Sequence, residues 1–392
     1  MMKKGYWLVG IVLCLSVFVQ GCSFSVQKSI DYCASQATKT LAMIPSVEEL
    51  PSSIPADSSR WVYTSPGVWT CGFWPGILWY LFEGTGDSKW EAEARKVTEE
   101  ILPVAYRKAK SHDVGFMIMT SIGNAYRITG EEKYLHALVA AADSLIRLYN
   151  PVVGTILSWP NMVEQKGWQH NTIVDNMINL ELLFWVAQHE NRKDLFDIAF
   201  RHAEVTMAHQ FRSDHSTYHV MVFNPEDGRF VKGYTHQGWK DSSTWARGQA
   251  WAVYGFTMAY RFTHDQRFLD TAVDAADYFI RRLPEDQIPF WDFDAGESLT
   301  DQPKDCSAAA IVASALLELQ LYLPGKLGNN YKKQAIKMLG TMSKAPYRAG
   351  SQCPAFLLYS TGHMPNGREV NASISYADYY YLEALTRLRR LQ

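Results

Sequence analysis

The sequence predicts an all-α fold in which six helical hairpins close into a ring. A polar turn, then an aromatic or apolar residue and an amphipathic helix, recurs along the chain and begins at Thr85, Thr129, Asn191, Thr263 and Asn329. A more apolar helix precedes each copy, and a helix that is hydrophobic nearly all round is a buried one. Strand-like alternation is limited to short segments such as residues 218–223 and 229–233.

The individual elements follow from hydrophobic spacing along the chain. Apolar side chains between Ile30 and Ile44 keep helical spacing and predict a first helix. Residues 51–66 are rich in Ser and Pro and predict an extended arm that crosses the surface. Apolar helices are predicted at residues 77–82, 114–126, 173–188, 245–261 and 307–323, and a final helix at residues 376–391.

These elements amount to about twelve helices in a single domain, predicted over residues 22–392. Their intervals are too irregular for a solenoid with repeats of about 34 residues. With apolar helices inside and amphipathic helices outside, the hairpins form a ring, and the loops that enter the inner helices converge on one end. Those loops hold most of the unusual polar and aromatic residues, a clustering that is typical of a binding site.

The beginning of the chain resembles a bacterial lipoprotein signal. Two lysines precede the uncharged apolar run at residues 5–19, which is too short for a comfortable membrane span and predicts a signal peptide over residues 1–21. Cys22 directly follows Gly21, as in a lipobox, so lipid attachment at Cys22 is predicted. The alternative is a cleaved secretory signal followed by an incidental cysteine.

Charge and motif content exclude several classes of function. The net charge is −2 and no basic block occurs, which argues against a nucleic-acid surface. No CxxC motif occurs, so neither a zinc ribbon nor a dithiol redox site is predicted, and HExxH, Walker and GxGxxG motifs are missing from the sequence as well. Four scattered cysteines are expected to be buried free thiols, namely Cys33, Cys71, Cys306 and Cys353.

The stretch at residues 234–251, YTHQGWKDSSTWARGQAW, has the composition of a sugar-binding site. Trp251 can stack on the C–H face of a sugar ring, while Arg247 can hold a carboxylate in two parallel hydrogen bonds. The two side chains are four residues apart and share one helical face. The alternative is a helix start with a buried aromatic face, capped by Asp241 or Ser243.

Two aspartates are candidates for acid chemistry. Asp113 and Asp175 each enter an apolar stretch, where loss of solvation favours the protonated carboxyl that a general acid requires. The alternative is helix capping, to which Asp is well suited. Further candidates remain at Asp241, Asp292, Asp294 and Asp305, so the residues alone do not choose a pair. They indicate an α-helical sugar-binding protein and leave open a glycosidase that uses two carboxylates.

Six segments resemble the unsaturated glucuronyl hydrolases of glycoside hydrolase family 88. They are WTCGFWPGILW, HDVGF, IVDNMINLELL, THQGWKDSSTWARGQAWAVYG, DCSAAAIVASALLEL and YADYYYLEAL, and they span nearly all of the chain in order. The resemblance implies an (α/α)6 toroid that needs neither metal nor organic cofactor. It also implies a substrate, a glycosaminoglycan oligosaccharide already cut by a polysaccharide lyase, from which the terminal Δ4,5-unsaturated uronic acid is released.

The resemblance also assigns residues. It implies that Asp175 protonates C4 of the unsaturated sugar and then activates water, and that Asp113 is a second carboxylate that tunes Asp175. The implied substrate-binding residues are Trp69, His112, Trp159, His219, Gln237, Arg247 and Trp251. The loop at residues 363–368 departs from members that carry two serines and a lysine for a substrate sulfate, although His363 and Arg368 remain able to meet an anion.

Two other functions stay open at this point. One is the related unsaturated rhamnogalacturonyl hydrolase activity on pectin fragments, which the HDVGF and RGQAW segments disfavour. The other is a glycan-binding lipoprotein without catalysis, which would need Arg247 and Trp251 but not Asp175. The lipoprotein signal predicts a periplasmic or outer-membrane location in a Gram-negative bacterium, with the membrane reached only through the lipid anchor.

Overall fold

A computed structural model describes residues 24–392, and the predicted signal peptide and Cys22 lie outside this range. Its helices are α1 (Val26–Leu41), α2 (Phe73–Thr85), α3 (Ser88–Ala105), α4 (Val114–Ile118), α5 (Asn124–Thr129), α6 (Glu132–Leu145), α7 (Asn161–Lys166), α8 (Asn176–Glu190), α9 (Lys193–His209), α10 (Ala246–Thr263), α11 (Gln266–Arg281), α12 (Phe293–Ser298), α13 (Cys306–Leu319), α14 (Gly325–Met342) and α15 (Ser375–Arg390). A π-helical segment, Met119–Gly123, joins α4 to α5, so the two form one continuous inner helix.

The helices form a closed double ring, which confirms the predicted toroid of six hairpins. The inner helices α2, α4–α5, α8, α10, α13 and α15 contact one another in that order, and α15 packs against α2 to close the circle. The outer helices α3, α6, α9, α11 and α14 each follow their inner partner, while α1 packs outside α15. All inner helices therefore begin at one end of the ring and end at the other.

Helix composition explains the two layers. Every residue of α13 is buried, from Cys306 to Leu319, because neighbours surround this helix on all sides. The outer helix α11 instead buries one stripe that includes Phe268, Ala272, Ala275 and Phe279, with polar residues facing water. In each hairpin the apolar helix, which comes first in the sequence, is the inner one, and the amphipathic helix that follows is the outer one.

The strands are short and lie beside the ends of the ring. They are β1 (Leu50–Ile54), β2 (Val62–Thr64), β3 (Tyr149–Asn150), β4 (Thr155–Ile156), β5 (His170–Ile173), β6 (Val220–Phe223), β7 (Phe230–Tyr234) and β8 (Ser373–Ile374). The β6–β7 pair confirms the two alternating segments, and the predicted arm at residues 51–66 is extended as expected. The prediction that the arm crosses the surface was wrong for β1, which is mostly buried and pairs with both β2 and β8.

Several predicted boundaries were wrong. The inner helix expected from Ile173 begins at Asn176, because residues 170–173 pair with β6 as strand β5. The helix predicted at residues 77–82 spans Phe73–Thr85, and the one predicted to residue 323 ends at Leu319. Cys33, Cys71, Cys306 and Cys353 are buried free thiols, which confirms the expectation for all four. Within residues 24–392, no helix combines the length and the apolarity that crossing a bilayer requires.

Candidate active site

A cavity of about 700 Å³ opens at the end of the ring where the inner helices begin. We call it the front cavity. Seven of the nine residues predicted to act on or bind a sugar line it, namely Trp69, Asp113, Trp159, Asp175, Gln237, Arg247 and Trp251. The loops that enter the inner helices therefore converge as the hairpin pattern predicted.

Asp113 and Asp175 occupy the N-cap positions of α4 and α8, yet neither caps its helix. Both have α-helical backbone angles, and neither side chain accepts a hydrogen bond from the first turn. Asp305 shows ordinary capping, because its backbone is not helical and its side chain accepts a hydrogen bond from the Ser307 N–H at 3.0 Å. The capping alternative is thus wrong for Asp113 and Asp175, and their carboxyl groups are left to face the cavity.

A close approach of α4 to α8 brings the two aspartates to the same cavity. A Cβ atom on Gly115 would lie 2.5 Å from the Asn179 Oδ1 atom, so only glycine fits there. Asn179 Oδ1 also accepts a hydrogen bond from the Phe116 N–H at 2.7 Å. Since Gly115 and Asn179 each lie within one helical turn of an aspartate, this contact fixes the relative placement of Asp113 and Asp175.

The pKa of the Asp175 carboxyl group is raised to about 7. Burial is the main cause and the Asp113 carboxylate acts in the same direction, while the Arg247 cation and the Trp251 indole N–H lower the pKa. Among residues 24–392 the Oδ1 atom has no hydrogen-bond partner, although 18% of the side chain remains exposed. Asp175 is therefore a carboxylic acid that can both give and take a proton near pH 7.

His219 lies behind Asp175 and presents an N–H group to it. Its Nδ1 atom accepts hydrogen bonds from the backbone N–H groups of His236 and Gln237, at 3.1 and 3.2 Å. Burial lowers the pKa of His219 well below its usual value, so the ring is neutral and its proton resides on Nε2. That Nε2 atom lies 3.8 Å from Asp175 Oδ1.

His112 stands in the same relation to Asp113. The Asn179 amide donates to His112 Nδ1 at 3.0 Å, because the Asn179 oxygen already accepts from Phe116. Burial lowers the pKa of His112, and its Nε2 atom lies 3.2 Å from Asp113 Oδ1. Asp113 also accepts from the Ser111 hydroxyl at 2.7 Å.

The two histidines correct the sequence interpretation, which had them contacting the sugar. The side chains of His112 and His219 have no exposed surface and do not line the front cavity. Each instead touches a carboxylate that does. Their place in the structure is that of residues that orient Asp113 and Asp175.

Arg247 is more occupied than the sequence suggested. Its Nη1 atom donates to Asp305 Oδ2 at 2.8 Å and to the Thr361 carbonyl at 2.6 Å, and Nη2 donates to the Gly362 carbonyl at 2.6 Å. These contacts tie α10 to the loop that follows the outer helix α14 and leave the Nε–H group without a partner among residues 24–392. Arg247 can therefore offer a ligand its positive charge and its Nε–H group, but not two free parallel N–H donors.

Aromatic rings form the other walls of the front cavity. Trp69 is 40% exposed and packs against Tyr376 with a centroid distance of 5.4 Å. Trp159 stands edge-on to His219 and to His236, and Trp251 is buried between the cavity and Tyr380. Indole faces beside carboxyl groups and a guanidinium suit a sugar ring with an anionic substituent.

Comparisons with known proteins agree with this geometry. The profile of Glycosyl Hydrolase Family 88 matches residues 43–381. The chain belongs to glycosyl hydrolase family 88. This family 88 chain is a glycoside hydrolase, as the resemblance of its sequence segments implied.

Three relatives illustrate the similarity. An unsaturated glucuronyl hydrolase of Formosa agariphila is 38% identical over 328 residues, which cover 82% of this chain and 80% of that protein. An unsaturated chondroitin disaccharide hydrolase of Streptococcus pneumoniae is 33% identical over 81% of each chain. The crystal structure of an unsaturated glucuronyl hydrolase specific for heparin has a TM-score of 0.88 and 39% identity, covering 93% of this chain and 97% of that one.

Some residues of the family 88 site escaped sequence reasoning. Glu369 lines the front cavity from a left-handed backbone conformation with φ of 53°, and burial raises the pKa of its carboxyl group. Tyr376 lines it with a buried hydroxyl group that has no hydrogen-bond partner in the described part of the chain. Nothing in the local sequence distinguishes Glu369, whereas Tyr376 could have been found from its place at the start of the last inner helix.

The front cavity offers little to a metal ion. Among residues 24–392, no group of three or more His, Cys, Asp or Glu side chains is arranged to hold one. His236 and His363 approach each other through their Nε2 atoms at 3.4 Å, but no carboxylate completes the pair.

Proposed function

We propose that this enzyme releases the terminal Δ4,5-unsaturated uronic acid from glycosaminoglycan oligosaccharides by hydrating the C4=C5 bond, with Asp175 as the acid and base. The observation that carries the proposal is the Asp175 carboxyl group, which is uncapped, faces the cavity and has its pKa raised to about 7. The names of the relatives support the same substrate class and disfavour the pectin-directed alternative.

The first chemical step uses the protonated form of Asp175. Its proton goes to C4, the C4=C5 electron pair forms the new C–H bond, and positive charge develops at C5 beside the ring oxygen. The resulting Asp175 anion would be held by the Nε2–H group of His219, 3.8 Å away, once the two atoms draw closer. The residual N–H edge of Arg247 is available to the uronate carboxylate.

The second step uses the ionised form of the same residue. Asp175 takes a proton from a water molecule as the water oxygen bonds to C5, which regenerates the acid. The product is a hemiketal, which opens and expels the rest of the oligosaccharide. Asp113 contributes through its charge, because an anion near Asp175 favours the protonated state that begins the cycle.

The proposal is tested by the ultraviolet absorbance of the C4=C5 bond. Wild-type protein should abolish this absorbance in unsaturated chondroitin or heparin disaccharides faster than in rhamnogalacturonan disaccharides. Asp175→Asn should reduce turnover by about a thousandfold or more, since positioned acid–base groups contribute 10²–10⁴. The matched control is Asp227→Asn, a change in the exposed β6–β7 turn. Turnover by Asp175→Asn at the wild-type rate would refute the proposal.

We also propose that the chain is a lipoprotein anchored at Cys22 that acts after a polysaccharide lyase in the periplasm or at the outer membrane. The support is the apolar run at residues 5–19 and the cysteine after Gly21. Metabolic labelling with an alkyne fatty acid should mark the wild-type protein in bacterial membranes and leave Cys22→Ser unlabelled. Equal labelling of both would refute the anchor without touching the catalytic proposal.

A further inference from the structure

A second cavity, of about 600 Å³, opens at the opposite end of the ring, where the inner helices end. We call it the rear cavity. Phe116 and Ile178 line both cavities, so these two apolar side chains form the wall between them. We propose that the rear cavity is a binding site for one uncharged sugar residue, separate from the active site.

The charges of the rear cavity are internally balanced. Four arginines reach it, at positions 127, 261, 387 and 390, and four glutamates pair with them. Glu83 binds Arg127 and Arg390, Glu181 and Glu318 bind Arg261, and Glu318 and Glu383 bind Arg387. A charged ligand would find no unpaired counter-ion here and would lose free energy through desolvation of its charge. A neutral polar ligand has no charge to desolvate.

One hydroxyl group in this cavity has no protein partner. Tyr380 is 2% exposed and lines the cavity, but its OH group makes no hydrogen bond to residues 24–392. A tyrosine that is almost wholly buried normally satisfies its hydroxyl. Across the same space, the Glu181 carboxylate accepts only from Arg261 and keeps free acceptor capacity. A donor and an acceptor that share a cavity match the hydroxyl groups of a sugar.

Aromatic rings also line the rear cavity. Tyr126 meets Trp185 edge-on at 5.3 Å, and the His189 ring stacks on one face of Trp185 at 3.6 Å, which leaves the opposite indole face. Indole and phenol rings stack on the C–H faces of sugars, while arginines and carboxylates bind their polar rim. The volume falls within the range of small-molecule sites. These features together favour an uncharged hexose or N-acetylhexosamine over a uronate.

The test is binding of N-acetylglucosamine, with glucuronate as the charged comparison, to the full-length protein. Crystals soaked in N-acetylglucosamine should show the sugar between Trp185 and Tyr380, and glucuronate should leave this space empty. Calorimetric titration should show that Tyr380→Phe weakens N-acetylglucosamine binding by about fivefold, the value of one net hydrogen bond. The melting temperature should not change, because the removed hydroxyl has no partner.

Tyr381→Phe is the matched control. The Tyr381 hydroxyl bonds to Ser343 and lies away from the cavity, so its loss should leave sugar binding unchanged. Sugar density only in the front cavity, undiminished binding by Tyr380→Phe, or glucuronate in the rear cavity would each overturn the proposal. Absorbance turnover on unsaturated disaccharides is read separately, so failure here leaves the catalytic proposal standing.

Discussion

The carboxyl groups of Asp175 at the front cavity and Glu383 at the rear cavity have different surroundings. Asp175 keeps 18% of its side chain exposed, and its Oδ1 atom has no hydrogen-bond partner among residues 24–392. Glu383 is buried and accepts hydrogen bonds from the hydroxyl groups of Tyr80, Tyr254 and Ser314, at 3.0, 3.1 and 2.5 Å. The Asp175 carboxyl group is left free to exchange a proton with a ligand, whereas the Glu383 carboxyl group is fixed by its three donors.

The direction of the inner helices reinforces this difference. Helix N-termini carry partial positive charge and face the front cavity, which favours an anionic ligand there. The C-terminal ends carry partial negative charge and face the rear cavity, where Arg127, Arg261 and Arg387 lie in or near the last turns. The front end of the ring therefore favours an anionic ligand, whereas at the rear end the helix C-termini are compensated by arginines.

The largest effect on stability is expected at the rear. Glu383→Ala would leave three hydroxyl groups and Arg387 short of an acceptor, and should lower the free energy of unfolding by about 3–5 kcal/mol. Urea denaturation measures this change, with exposed Glu285→Ala as control. Turnover per folded molecule should stay near that of wild type. A normal stability in Glu383→Ala would remove the contrast between the two ends.

Asp175→Asn is expected to raise the free energy of unfolding relative to wild type as pH increases, whereas Glu383→Ala lowers it. The folded pKa of about 7 exceeds the unfolded value of about 3.9, so wild type loses stability as pH rises between these values. Asparagine does not ionise. The stability of Asp175→Asn relative to wild type should therefore grow by about 2–3 kcal/mol between pH 5 and pH 8, as urea denaturation at each pH would show. A constant difference would mean that Asp175 is not protonated in the fold.

A smaller effect is expected for Asp113→Asn. Because the Asp113 carboxylate raises the pKa of Asp175, its removal should lower that pKa. Since turnover begins from protonated Asp175, the alkaline limb of kcat/KM should move to lower pH. The pH profile measured with an unsaturated disaccharide checks this, with Asp241→Asn as control. An upward shift would contradict the assigned direction of coupling.

The smallest effect is expected for Trp69→Phe. Trp69 is the most exposed of the three predicted tryptophans, and phenylalanine keeps an aromatic face there. KM should rise about twofold to fivefold with little change in kcat, because stacking contributes about 0.5–1.5 kcal/mol. A drop in kcat alone would place Trp69 at the reacting atoms instead.

The sequence pattern was sufficient for the ring, because hydrophobic spacing is local, and it placed Asp113 and Asp175 among six candidate aspartates without choosing them. It could not decide between capping and chemistry at Asp113 and Asp175, since that depends on backbone angles that differ from those of Asp305. Only the resemblance to a family decided it in advance. His112 and His219 orient the two aspartates because the Nδ1 atom of each ring already accepts hydrogen bonds, which leaves Nε2 to face a carboxyl group. The spacing of residues in the sequence does not show which ring nitrogen is bonded.

The rear cavity shows the same limit more strongly. Tyr80 and Glu383 are 303 residues apart in sequence and touch only because the ring closes. Glutamate and arginine on the last inner helix had the pattern of ordinary surface charges. Hydrogen-bond and ion-pair partners that lie on helices far apart in sequence cannot be recognised from local sequence patterns.

The π-helical segment at residues 119–123 interrupts the one inner helix that contributes Phe116 to the wall and Arg127 to the rear opening. A π-helical turn holds one residue more than an α-helical turn, so deleting one amino acid from it would leave a regular α-helix whose two halves keep their faces. The extra residue therefore marks a place where this helix can change its length by one amino acid. Asp113 at one end and Arg127 at the other would keep their directions.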